Sequence, residues 1–328
     1  MSKVLVAIDP FTKADGNAKR ALQTIRAFAN RLESKLQSVA VVSPDQLMLP
    51  LDFEKNLAEE FLQAALDNLE EKQKKLAVHF DDEPEVAVQP YRSQKRSIEA
   101  VTNIADELGA DFLAVLTHVK KRRTFNLFGF VESLLSVSRT PVLAVSTECP
   151  LVTKINRLIF ASDFSLQCKQ AFIDTLDLAK TMGAKIIVVH KAVEFEGYAA
   201  LASGMISPLI QAYEPLLEAE QQKTQRSVNE WTRLAALQSV EAEFVISRRS
   251  GMTGDIILQT AKAKKAQLIV VVSQTGKYES LVLGSVTRRL LQKAKVPVLV
   301  MRANSLGKGK KNSLVNSRKE VVHEEIRS

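Results

Sequence analysis

The chain repeats itself, and this repeat limits its fold more than any other feature of the sequence. Pro141 and Pro297 stand 156 residues apart, and "PVLAV" at the first proline resembles "PVLVM" at the second. Near the amino terminus "VLVAIDPFT" matches "LIFASDFSL", with Asp9 and Asp163 at equivalent places. Repeated units of this length in a chain of 328 residues predict two copies of one domain.

Within each half, short apolar runs alternate with amphipathic stretches of helical spacing. Strands are predicted at 4–8, 37–42, 86–89, 112–116 and 142–145, then at 157–161, 185–190, 243–247, 268–272 and 298–301. Helices are predicted at 17–36, 53–78, 97–108 and 131–138, then at 166–182, 211–237, 254–264 and 285–293. Unbroken apolar strands are buried on both faces, which requires a parallel sheet covered by helices. We therefore expect an α/β protein with two doubly wound parallel-sheet domains in tandem.

The repeat also sets the expected domain boundaries. The first domain is predicted at 1–148 and the second at 154–303, followed by a polar tail at 304–328. Only a short segment separates the two domains, so we expect the halves to pack together rather than swing freely.

Composition limits the partners and the compartment. The net charge is +8, and its basic residues crowd into 119–123 and 307–320 without any nucleic-acid-binding motif. We therefore expect a solvated basic surface and no specific nucleic-acid partner. No apolar run approaches the ~20 residues of a membrane span, so an integral membrane protein is not expected. The two cysteines form no CxxC pair, and the chain begins without a signal-peptide layout, which favours the cytoplasm.

A glycine-containing stretch follows the fourth strand of the second half. In "SQTGKYESLVLGSVTRR", Gly276 and Gly284 precede a predicted helix that begins at Ser285. Glycines permit close approach, and the unpaired N–H groups of a helix N-terminus attract anions, so the stretch is compatible with a phosphate site. A tight turn with a serine cap would explain the same residues. The Walker A and Rossmann glycine patterns are absent.

These pieces together resemble the universal stress protein family in its tandem two-domain form. "IFASDFS" looks like the family's "DFS" or "DGS" opening, and "LVLGSVTRRLLQKAKVPVLVMR" looks like its closing signature. The resemblance covers 1–303, more weakly in the first half. It implies an adenine-nucleotide α-hydrolase-like fold and a stress-response regulator or adaptor that binds ATP, with or without Mg²⁺. It does not imply a fast enzyme, and at most slow ATP hydrolysis is expected.

The resemblance also assigns residues to the nucleotide. Asp163 would accept a hydrogen bond from the adenine, and Lys191 would contact the base through its main chain. Gly276, Gly284 and Ser285 would approach the phosphates.

The second half departs from the family pattern in its glycine loop. Ser273 stands where the pattern has its first glycine, and seven residues rather than nine separate Gly276 from Gly284. Lys277 would add a point charge for phosphate or be an exposed lysine. Gly251 either lines the ribose side or forms a tight turn.

The first half departs further. Lys120 and Phe128 replace the two phosphate glycines, and Asp9 is followed by Pro10. We expect the first domain to have lost the nucleotide site and to serve as a packing partner. The alternative is an anion site made by the basic run 121–123.

The family commonly pairs its final strands across a dimer. In a tandem chain the strands at 142–145 and 298–301 would pair internally, which predicts a pseudo-dimeric monomer. A homodimer of the whole chain is the alternative.

An alternative function of another class also fits the sequence. The apolar connections at 47–53 and 198–213 would hold a lipid-like molecule or a protein partner, making the chain a non-nucleotide scaffold. No catalytic or metal-ligand constellation is present: the histidines have no metal spacing, and no GxSxG occurs. Cys168 is predicted to be an inert core thiol.

Overall fold

All the β-strands of the protein belong, in the part of the chain described, to one ten-stranded sheet with helices on both faces. The structure, a computed structural model, describes residues 2–12, 15–44, 55–91, 93–117, 127–192, 207–273 and 283–302. The α/β class and the tandem arrangement are confirmed.

The alternation of strand and helix is the same in both halves. The strands are β1 (Lys3–Ala7), β2 (Lys35–Val42), β3 (Glu85–Val88), β4 (Phe112–Thr117), β5 (Val142–Ser146), β6 (Arg157–Ala161), β7 (Lys185–Lys191), β8 (Ala242–Ser247), β9 (Leu268–Ser273) and β10 (Val298–Arg302). The described helices are α1 (Gly16–Arg31), α2 (Lys55–Leu76), α3 (Gln94–Glu107), α4 (Leu127–Val137), α5 (Leu166–Met182), α6 (Ser207–Leu237), α7 (Thr253–Ala263) and α8 (Ser285–Lys293).

The strand order is β3-β2-β1-β4-β5-β10-β9-β6-β7-β8. Pairing is parallel within each half and antiparallel where β5 meets β10. At that junction Leu143 faces Leu299, two residues that are equivalent in the repeat. The halves are therefore related by a local two-fold axis, and the predicted pairing of the final strands inside one chain is confirmed.

Two apolar layers hold the helices on the sheet. One layer packs α1, α2, α5 and α6 against one face, and the other packs α3, α4, α7 and α8 against the opposite face. Burial on both faces explains the unbroken apolar strands.

The first predicted helix overran its observed end by the most residues. The first helix was expected to run to residue 36, but α1 ends at Arg31 and Leu36 belongs to β2. Glu33 takes a left-handed φ of 51°, which stops the helix although the amphipathic pattern continues.

The segment between the halves is packed rather than loose. Cys149, Val152 and Ile155 are buried in the same apolar layer as α1 and α5. The Val152 N–H donates to Thr24 Oγ1 at 3.1 Å. The expectation that the halves pack together therefore holds at this segment. No helix in the described ranges is both long and apolar enough to cross a membrane.

Candidate functional site

The carboxyl ends of the strands in the second half meet at one edge of the sheet. Asp163 follows β6, Lys191 ends β7 and Ser273 ends β9, and these strands are neighbours in the order β9-β6-β7. The Ser162 N–H donates to Val189 O at 3.0 Å, which continues the β6–β7 register to the edge. Open parallel sheets bind ligands outside this end of their strands. The fold thus brings these three predicted residues to one surface.

Asp163 shapes the turn that leads from β6 into α5. Its Oδ1 accepts the Ser165 N–H at 2.9 Å, and Ser165 in turn caps α5 by accepting the Cys168 N–H at 3.2 Å. Phe164 lies between them with a left-handed φ of 57°. Such a φ costs a non-glycine residue roughly 1–2 kcal/mol, which explains why a glycine would suit this position as well.

An aromatic cluster packs beneath the turn. The Phe164 ring packs against His190 at 4.8 Å and against Trp231 at 5.0 Å between ring centroids. His190 Nδ1 lies 2.9 Å from Ser162 O, so a nitrogen of this ring donates to the turn. Trp231 is the single tryptophan of the chain and is 1% exposed. The Asp163 turn therefore sits on a rigid aromatic base.

Cys168 is buried in the core, as the sequence predicted. Burial raises the pKa of its thiol to about 11, and the thiol also hydrogen-bonds with Asp163. A thiol with such a pKa stays protonated at neutral pH.

Lys191 uses its side chain to hold the neighbouring loop. Its Nζ donates to Gly251 O at 2.7 Å, and Gly251 has a φ of 119° that other residues rarely adopt. The next residue, Ala192, donates its N–H to Ser247 O at 2.9 Å. The ends of β7 and β8 are therefore fixed to each other beside Asp163.

Among the residues described, nothing covers the N-terminus of α8. Gly284 is its N-cap residue and makes no side-chain cap bond, and a Cβ placed on Gly284 would meet no described atom within 4 Å. Ser285, the first helical residue, is exposed. The helix start predicted at residue 285 is confirmed. The N-cap residue of helix α7, Met252, likewise makes no side-chain cap bond. Unpaired N–H groups at helix ends can bind anions.

A close contact fixes α8 against α7. A Cβ on Gly254 would lie 2.8 Å from Arg289 Cβ and Cγ, so only glycine fits there. Arg289 donates to both oxygens of Asp255, at 2.9 and 2.6 Å. This bidentate pair lowers the pKa of Asp255 and raises that of Arg289. The two uncapped helix ends are thereby held side by side.

In the first half, side chains of the domain itself occupy the equivalent carboxyl edge of the strands. Lys72 is 7% exposed, and its Nζ donates to Asp9 O at 2.6 Å, Thr12 O at 2.7 Å and Thr12 Oγ1 at 2.6 Å. Burial lowers the pKa of Lys72, while the carboxylates of Asp9 and Asp15 oppose that shift. All three ammonium protons are used, so the amine anchors the turn after β1.

Two further contacts lie at the same carboxyl edge of the strands in the first half. Phe11 packs against a small apolar cluster of buried Val42 and Ala65, as do Phe61 and Val88. Helix α3 is capped by Ser93, and its first residue, Gln94, places its side-chain amide 3.4 Å from where a Cβ on Gly129 would lie. In the repeat Gly129 is equivalent to Ser285.

Some expectations fall outside the described residues, and some functional positions were missed. Gly276 and Lys277 of the glycine loop, Lys120 of the first half and the basic run 121–123 are not described.

Lys72 was not predicted from the sequence, although a lysine on the apolar stripe between Leu69 and Leu76 was a readable signal. Gln94 and Gly254 carry no such signal because their contacts depend on how helices approach each other. No group of three or more possible metal ligands occurs among the residues described.

Comparison with known proteins gives a family and a fold. The profile described as "Universal stress protein family" matches 1–146 and again 154–302. "Stress response protein NhaX" of Bacillus subtilis is 30% identical over 166 residues, which cover 45% of this chain and 98% of that protein. A universal stress protein from Archaeoglobus fulgidus has a similar structure, with a TM-score of 0.57 at 18% identity over 92% of this chain and 99% of that one. A functionally unknown protein from Pseudomonas aeruginosa PAO1 gives a TM-score of 0.54 at 16% identity, over 94% and 95% of the two chains.

Proposed function

Because the chain belongs to the universal stress protein family, we propose that it serves the stress response by binding ATP at the carboxyl edge of its second half. The nucleotide would act as a signal, and the protein would be a regulator or adaptor rather than a fast enzyme. The stress-response part rests on the family and on the similarity to a stress response protein.

The open N-terminus of α8 carries the nucleotide proposal. No described residue fills the space beside Gly284 or accepts from the first N–H groups of the helix, so a phosphate would fit there next to the hydroxyl of Ser285. Asp163 is exposed at the neighbouring strand end, and the two oxygens of a carboxylate can each accept more than one hydrogen bond. Mg²⁺ would accompany the phosphates in solution.

The proposal includes the loss of the site in the first half. There Lys72, Phe11 and Gln94 occupy the edge that is open in the second half. One nucleotide per chain is therefore expected.

Titration calorimetry with ATP and Mg²⁺ tests the proposal. We expect one binding event per chain, and Gly284→Val should weaken it about tenfold or more by crowding the phosphate. The fold should survive, because the new side chain would meet no described residue and the φ of −56° suits any residue. Gly16→Val is the matched control, since Gly16 begins α1 in the first half with equally open space around it.

The single tryptophan gives a second measurement. Trp231 contacts Phe164 directly, so ATP bound at Asp163 should change its fluorescence. Asp163→Asn should weaken ATP binding by about tenfold, as expected for one lost charged hydrogen bond. If full-length protein shows neither heat nor a fluorescence change with millimolar ATP, the nucleotide proposal is wrong.

The scaffold alternative rests on the connections 47–53 and 198–213. Of these, 47–53 and 198–206 lie outside the described residues, so no contact supports it.

A further inference from the structure

At the interface between the two halves, residues of the first half contact the residues at equivalent positions of the second half. Arg288 Nε donates to Glu132 Oε1 at 3.0 Å, and these two residues are 156 apart, which is the repeat offset. Leu143 faces Leu299 in the strand pairing with the same offset. Both pairs therefore lie on the local two-fold axis.

A position on a two-fold axis meets its own copy when the two halves are identical. Glu132 would then face another glutamate, or Arg288 another arginine, and either contact would be repulsive. A tandem chain can carry different residues at the two copies, and here the charges are opposite.

In a second contact across the interface, the second half again supplies the cationic donor and the first half the acceptor. Arg302, which ends β10, donates through a guanidinium nitrogen to Ser136 O in the last turn of α4. Carbonyls at a helix C-terminus are unpaired within the helix and carry partial negative charge. The repeat equivalent of Arg302 is Ser146, a short neutral residue, so the contact has no mirror image.

We propose that charge makes this interface directional: α4 of the first half supplies acceptors, and α8 with β10 of the second half supplies cationic donors. Each half then fits the other and rejects a copy of itself. The cognate partner of the second half's final strand is the first half of this chain, not a second chain. This inference is independent of nucleotide binding.

Charge reversal in the full chain tests the proposal. Glu132→Arg and Arg288→Glu each place like charges on the axis, whereas the double variant restores an opposite pair. Hydrogen exchange of the β5 and β10 amides reports opening of the interface. Each single reversal should speed exchange there about fivefold, and the double variant should return to near the wild-type rate.

A salt series and a control ion pair distinguish an effect at the interface from a general change in stability. Half-exposed charges are screened at high salt, so 1 M NaCl should remove most of the difference between single and double variants. Lys169 and Glu230 form an ion pair within the second half, and reversing them should leave β5 and β10 exchange unchanged. A double variant that exchanges as fast as the singles, or a control that accelerates β5 and β10 equally, overturns the proposal.

Discussion

The two halves share one fold but treat the carboxyl edge of their strands in opposite ways. In the first half the turn after β1 is anchored by the buried ammonium of Lys72, and Gln94 lies against Gly129. In the second half the matching turn rests on aromatic rings, and no described residue covers the helix end at Gly284. After duplication, the two copies of one fold have therefore come to differ in how their own side chains occupy this edge.

The largest expected effect comes from removing the anchor of the closed edge. Lys72→Met keeps the length of the side chain but leaves Asp9 O and the two Thr12 oxygens without their donor. We expect a loss of about 2–4 kcal/mol in the free energy of unfolding, since buried acceptors lose charged hydrogen bonds. Urea unfolding measures it.

Lys74→Met is the control for this variant, because Lys74 lies on the same helix and is exposed. If both variants unfold at the same urea concentration, Lys72 does not anchor the turn and the comparison between the edges fails.

The next effect concerns the helix pair that forms the open edge. Gly254→Ala places a Cβ 2.8 Å from Arg289 Cβ and Cγ, so α7 and α8 must separate. We expect a loss of about 1–3 kcal/mol in unfolding free energy from overpacking. The first half has Ile98 at the equivalent position, buried in α3, which shows that α3 and α4 approach each other differently.

Glycine to alanine within a helix ordinarily stabilises by roughly 0.5–1 kcal/mol, so a loss points to the helix contact. Gly284→Ala would meet no described residue, so it should lose only the preference of an N-cap for glycine over alanine, about 0.5–1 kcal/mol. A neutral or stabilising Gly254→Ala would mean that the open edge does not depend on this contact.

The sequence predicted the parts of the fold that follow from local pattern. The repeated strands, the final-strand pairing and the start of α8 at Ser285 were all readable from apolar runs and the repeat. The end of α1 was not, because the left-handed Glu33 interrupts a pattern that continues to be amphipathic. Lys72 and Gln94 acquire their roles only when distant elements meet, so the closure of the first edge could be expected only from missing glycines. The predicted roles of Asp163, Lys191 and Ser285 toward ATP stay predictions.

The smallest effect concerns the helix after the first strand of each half. Asp174 in α5 has an Oδ2 atom that is buried without a hydrogen-bond partner among the described residues, whereas the equivalent Arg20 in α1 is exposed. Burial raises the pKa of Asp174 to about 6, and the nearby Asp177 adds to the rise while Gln170 opposes it.

The sign of the pH dependence follows from that shift. Because the folded pKa lies above the unfolded value near 4, the folded state holds the extra proton between about pH 4 and 6. This contribution to stability is complete below pH 4 and is lost as the pH rises through 6. Asp174→Asn abolishes the loss, so at pH 8 the variant should be more stable than wild type by about 1–2 kcal/mol. At pH 4 the two proteins should unfold alike, and Asp106→Asn, which changes an exposed carboxylate in α3, should show no such difference at either pH. Equal stabilities of wild type and Asp174→Asn at pH 8 would show that the Asp174 carboxylate is ionised in the folded protein without cost.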